Sequence, residues 1–142
     1  MTTATSQTIA ITAAAAALAT LVPVALYQSN MINTLSDPPG SWFDSAKITD
    51  SKSANPLGVP DSYLGLVSYS VTLALLLACK RSVVARPILR IKLVADGVLA
   101  TFNFGRQIIS FHRLCSWCSG TALSTALLVP AANSYLNHLK EL

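Results

Sequence analysis

Residues 9–27 read IAITAAAAALATLVPVALY, an unbroken run without a charged side chain. Its length is close to the ~20 residues that carry a helix across a bilayer, and this run predicts the first membrane span. No basic stretch precedes it, and it exceeds the apolar core of an ordinary signal peptide, so a retained helix is expected. The alanine run offers a thin surface for a neighbouring helix, and Pro23 is a candidate kink. The composition agrees. Hydrophobic residues make up 52% of the 142 and charged residues 11%, with a mean hydropathy of +0.52, against about 25% charged in a soluble domain. The length suits a single domain, residues 1–142. The net charge of +4 then reads as membrane topology, and no nucleic-acid partner is expected.

Outward from that run, residues 28–62 form a polar loop punctuated by turn residues at Asp37-Pro38-Pro39-Gly40 and Asn55-Pro56-Leu57-Gly58-Val59-Pro60. A loop of this length is expected to cover a site, and Trp42 and Phe43 are candidate interfacial anchors. Residues 63–79 (YLGLVSYSVTLALLLAC) are a second uncharged run. Lys80, Arg81, Arg86, Arg90 and Lys92 follow with no acidic partner, which marks the connection as cytoplasmic.

A third span is expected over residues 93–111, interrupted by Asp96 and Arg106. These two stand roughly 15 Å apart along a helix and cannot simply pair. Lys92, at i−4, can neutralise Asp96, and Arg106 is expected to snorkel outward or to hold an anion or a carbonyl. His112-Arg113 makes a short turn into a fourth span over residues 114–136. The result is an all-α membrane protein, a four-helix bundle with both termini cytoplasmic and a long extracytoplasmic loop between the first two helices. His138, near the end, has no evident partner.

Two of the three cysteines, Cys115 and Cys118, form a C-x-x-C pair at the start of the fourth span. The spacing leaves three readings open. A helix N-terminus stabilises a thiolate and favours thiol–disulfide exchange. A metal half-site would need more ligands, with only Cys79, His112 and His138 as further candidates. Unpaired cysteines are also common as small buried apolar residues, and Cys79, a bilayer's thickness away, is read as structural.

Gly58-Val59-Pro60-Asp61-Ser62-Tyr63-Leu64-Gly65-Leu66-Val67-Ser68-Tyr69, together with Cys115-Ser116-Trp117-Cys118 and Thr121, resembles the vitamin K epoxide reductase family in its bacterial membrane form, over roughly residues 9–136. The resemblance implies an enzyme, a quinone-dependent thiol oxidoreductase with Cys115 and Cys118 as its catalytic pair. It places Cys118 against the quinone and makes Cys115 the target of an attacking thiol. Asp61, Ser62, Leu64 and Thr121 are the implied quinone-binding residues, with a quinone of the ubiquinone or menaquinone type as substrate. Membrane lipid and a separate thioredoxin-like protein are the implied partners, and the bacterial inner membrane, active pair outermost, is the implied location.

Three positions depart from the family pattern. The loop has no cysteine pair to relay electrons, only Ser41, Ser45, Ser51 and Ser53. Asp61 stands where members often carry Asn, and it could equally N-cap the second span. Ala122 stands where some members carry tyrosine. A non-catalytic relative that binds a quinone, a lipid or a partner helix is therefore the competing expectation, with a transporter or channel a distant third.

Overall fold

The structure, a computed structural model, describes residues 2–35, 37, 43–45, 48, 59–111 and 115–141, with the backbone alone at 110 and 111. Four long helices dominate it: α1 (Thr3–Gln28), α2 (Asp61–Ala78), α3 (Ala85–Arg106) and α4 (Ser116–Glu141). A π-helical turn, Gln107–Phe111, extends α3. The turn expected at His112-Arg113 lies outside the described residues, as does Trp42.

The first run forms a helix because it is rich in alanine and leucine and holds no glycine. Thr2 caps it, its hydroxyl accepting from the Thr5 amide at 3.1 Å, and the helix passes through Pro23. Beyond the Ser29 cap the chain turns at Asn30, which adopts φ 62°, a left-handed conformation that asparagine tolerates.

Along α1, Ala10, Ala13, Ala14, Ala17, Leu21 and Val24 are buried, a stripe at helical spacing. The stripe meets Leu128, Ala131, Ala132, Tyr135 and Leu139 of α4 in a single core. Small side chains let the two backbones approach closely. Near the cysteine end the approach is tight, and a Cβ on Gly120 would lie 2.9 Å from Thr20 Cγ2. Thr20 cannot easily yield, because its hydroxyl bonds Ala17 O at 2.9 Å and Thr121 Oγ1 at 2.6 Å. Gly120→Ala is thus expected to destabilise the protein by about 1–3 kcal/mol. Gly105→Ala meets nothing within 4 Å and is expected to stabilise it by about 0.5–1 kcal/mol. Thermal melts of the purified variants check both.

The basic connection differs from the expected loop. Helix α3 begins at Ala85, so Arg86, Arg90 and Lys92 are helical. Their hydrogen-bonding capacity explains the difference. Arg86 donates to Cys79 O at 2.9 Å and to Leu139 O at 3.5 Å, satisfying carbonyls near the ends of α2 and α4. Arg90 donates to Asn133 Oδ1 at 3.1 Å and Asn137 Oδ1 at 2.8 Å. His138 is likewise accompanied, with Nδ1 4.0 Å from Glu141 Oε2.

Among the described residues, two helices, α1 and α2, are both long and apolar enough to cross a membrane, with mean hydropathies of 2.2 and 1.4 over their best windows. The core is apolar, with Leu76, Leu89, Leu128 and Leu136 buried, and the surface is apolar as well: Val67, Ile91, Val94, Val98, Phe102 and Leu123 are exposed. Ser62, Thr72, Asp96, Gln107, Ser124 and Thr125 are buried among the helices. So many exposed large apolar side chains suit contact with lipid or another apolar surface.

Candidate functional site

The C-x-x-C pair sits where α4 begins. Cys115 immediately precedes the helix and Cys118 lies in its first turn. Both are free thiols; their side chains hydrogen-bond each other, and the Cys118 amide donates to Cys115 Sγ at 3.1 Å. Such amides at a helix start favour negative charge on the sulfur. Cys115 is fully buried, and its own amide donates to Gln107 Oε1 at 2.8 Å. The π turn thus has a use: it brings the buried Gln107 side chain to the backbone of the cysteine pair.

Two residues of the polar stretch, Asp37 and Ser45, lie against the pair. Ser45 is fully buried. Its hydroxyl donates to the Asp37 carboxylate and accepts from the Ser116 amide at 3.1 Å, and it also hydrogen-bonds Cys115. Asp37 further accepts from the Ser45 amide at 3.1 Å and from the Ser116 hydroxyl at 2.8 Å. Burial alone would raise the Asp37 pKa, but these hydrogen bonds together outweigh it and hold the carboxyl below its usual value.

A depressed pKa gives the loop clamp a definite pH dependence. Its stabilisation is fully present above the ordinary carboxylate pKa and is lost as pH falls through the lowered value. The stability difference between wild type and Asp37→Asn is therefore expected to be constant near neutrality and to shrink in strong acid. A difference that widened on acidification, measured by thermal melts, would contradict this.

Beneath the pair lies a cavity of about 380 Å³. Its wall includes Asp61, Ser62, Leu64, Cys118 and Thr121, so every expected site residue except Cys115 borders the same space. Cys115 lies behind Cys118, on the loop side. The last residue of α1 clasps the first residues of α2 at the cavity rim: Gln28 Nε2 donates to Asp61 Oδ1 at 3.3 Å, and Ser62 Oγ donates to Gln28 Oε1. Pro60, not Asp61, occupies the N-cap of α2. This leaves the Asp61 carboxyl on the cavity wall, with the Arg106 guanidinium acting on it electrostatically. Arg106 also borders the cavity, so of the two courses expected of it, outward or towards an anion, it takes the second, drawn by the Asp61 carboxylate.

The pattern of residue types did not single out Asn103, Gln107, Tyr69 or Ile48, which also line this space. A glutamine directly after Arg106 in an apolar span was the one available signal. Among the described residues, no group of three His, Cys, Asp or Glu side chains is placed to hold a metal ion.

A cysteine pair opening a helix, under a loop and beside an apolar cavity with a few polar groups, is the arrangement that the two sequence blocks led one to expect. A family model described as "Vitamin K epoxide reductase family" matches residues 7–132. The chain belongs to the vitamin K epoxide reductase family. Comparison with curated proteins and with solved structures finds no match. Members of the vitamin K epoxide reductase family are membrane-associated oxidoreductases that act with quinones. Against the family pattern, this chain places the Ser45 hydroxyl, held by the Asp37 carboxylate, beside Cys115, and Ala122 lines the cavity.

Proposed function

We propose that the protein is a membrane thiol–disulfide oxidoreductase that passes electrons between the Cys115–Cys118 pair and a membrane quinone held in the cavity. The observation that carries this reading is the two-sided placement of the pair. Cys118 borders the apolar cavity together with Asp61, Ser62, Leu64 and Thr121, while Cys115 faces the loop. A quinone ring suits apolar walls with a few polar groups. Arg106 can donate a hydrogen bond to a quinone oxygen, and Asp61 can do so when it carries its proton.

In the thiol-oxidising direction, Cys118 gives up its proton as it delivers electrons to the quinone, and Cys115, whose sulfur accepts the Cys118 amide hydrogen bond, closes the disulfide. A thiol from outside then attacks Cys115 and regenerates the pair. Serine cannot relay a disulfide, so the attacking thiol comes from a separate dithiol, for which a thioredoxin-like protein is the proposed partner. To reach Cys115 it must displace the Asp37–Ser45 clamp.

All four helices are proposed to span the membrane. At 22 and 26 residues, α3 and α4 extend roughly 33 and 39 Å, beyond the ~30 Å hydrocarbon core. Their exposed faces carry Ile91, Val94, Val98, Phe102, Leu123 and Leu127. The basic connection supports a cytoplasmic position for the α2–α3 end; an extracytoplasmic cysteine pair in a bacterial inner membrane is the proposed arrangement.

Complete burial of Cys115 under the clamp favours one other reading, a relative that binds a quinone or lipid without turnover. Thiol labelling of purified protein separates the two. Added ubiquinone or menaquinone is expected to oxidise the label-reactive dithiol to a disulfide that takes no label, being itself reduced to the hydroquinone, and a dithiol to restore labelling. A pair whose labelling responds to neither supports the non-catalytic reading. Trapping a mixed disulfide through Cys118→Ser identifies the protein partner.

A further inference from the structure

At the cavity wall, on the side away from the cysteine pair, lies a buried ion pair that this redox scheme does not use. Asp96 is 4% exposed near the middle of α3 and borders the cavity. Lys92 Nζ donates to Asp96 Oδ1, to Ser68 Oγ at 2.7 Å and to Thr72 Oγ1 at 3.0 Å. Ser68, itself on the cavity wall, donates to Asp96 Oδ1 at 3.3 Å, and Thr72 donates to Oδ2 at 2.7 Å. Tyr69, the titratable neighbour from α2, is turned to Thr125 of α4. The Lys92 side chain is 20% exposed and stands roughly 10 Å from the Ala85 end of α3, remote from the cysteines.

A bond between helices does not require ions here, since hydrophobic residues of similar volume hold helices together as well as a buried salt bridge. An ionisable pair at membrane depth that reaches a ligand cavity at one end and a side-chain outlet at the other has the layout of a proton path. Oxidation of the cysteine pair breaks two S–H bonds, forms one S–S bond and releases two electrons and two protons. Reduction of a quinone to its hydroquinone takes up two electrons and two protons, one on each oxygen.

We propose that Lys92 and Asp96 form a proton-entry path that carries one of those two protons to the cavity from the membrane face opposite the cysteine pair; this rests on the reading that the cavity holds a quinone. Lys92 gives its proton to Asp96, directly or across the Ser68 hydroxyl. Asp96 gives it to the nearer quinone oxygen, and Lys92 is reprotonated from water at the remote face. The second proton arrives from the cysteine side, where both thiol protons are released.

The test uses the intact protein in lipid vesicles that hold a short-chain ubiquinone and an entrapped pH dye, with a membrane-impermeant dithiol added outside. Only molecules whose cysteine pair faces outward then turn over, so the lumen is the remote face. The expected result is luminal alkalinisation by one proton per quinone reduced. Turnover without luminal change overturns the proton path and leaves the quinone reading standing. Absence of turnover in the wild type overturns the quinone reading and this inference with it.

Asp96→Asn keeps the side-chain shape but cannot carry a proton. It is expected to slow quinone reduction roughly 100-fold with unchanged KM for quinone, and small weak acids are expected to restore part of the rate. A folded Asp96→Asn protein with wild-type turnover also overturns the proposal. Should that variant fail to fold, the luminal measurement on the wild type decides.

Discussion

Cys118→Ala is expected to reduce quinone-dependent oxidation of a dithiol by roughly a thousandfold or more, equivalent to about 4 kcal/mol of transition-state stabilisation. The geometry accounts for the size of the effect. Cys118 is the member of the pair that borders the cavity, and without it no intramolecular disulfide can close on Cys115. The fold is expected to persist, because alanine is smaller than cysteine and helix-favouring. The decisive comparison is between two assays of one preparation. Steady-state turnover with a soluble quinone should vanish, while Cys115 still attacks an added disulfide, releasing one thiol and forming a mixed disulfide that it now holds, since no resolving sulfur remains. Turnover within tenfold of wild type would remove Cys118 from the proposed mechanism.

The second large effect is expected from Ser45→Cys. The Ser45 hydroxyl is hydrogen-bonded to Cys115 and to the first amide of α4, so a thiol there stands beside the Cys115 sulfur. In a Cys118→Ala background, a mild two-electron oxidant should join positions 45 and 115. The product should have two fewer titratable thiols, and the cross-link should stabilise the protein by about 2–4 kcal/mol. With Cys118 present, the introduced thiol can attack the Cys115–Cys118 disulfide, releasing Cys118 as a thiol and supplying the internal relay that the loop lacks. Mass spectrometry of the oxidised double variant checks the linkage. Unchanged thiol counts after oxidation would mean that the loop does not hold position 45 against Cys115 in solution.

Much of this was legible in the order of residue types. Uncharged runs, turn residues and a C-x-x-C at a helix start are local signals, and local signals decide where helices form and which lengths suit a bilayer. The Lys92–Asp96 pair was legible for the same reason, because i and i+4 are neighbours on any helix. Arg86 and Arg90 were less so. Their count and sign suggested a loop, whereas their partners, Cys79 O, Leu139 O, Asn133 and Asn137, lie on other helices and draw them into the start of α3.

The site divides along the same line. By itself the sequence determined the helical character of the chain, the cysteine pair and its place at the start of a helix, and the polar loop that had to go somewhere near it. Only the tertiary structure decided that Asp37 and Ser45 close over Cys115, that Gln107 reaches the cysteine backbone from the π turn, and that Asp61, Arg106 and Asp96 border the same cavity as Cys118. The reason is physical. A helix sets the spacing of its own side chains, but which polar groups are buried together depends on how four separate helices pack. In an apolar environment each buried polar group must find its partner on another element.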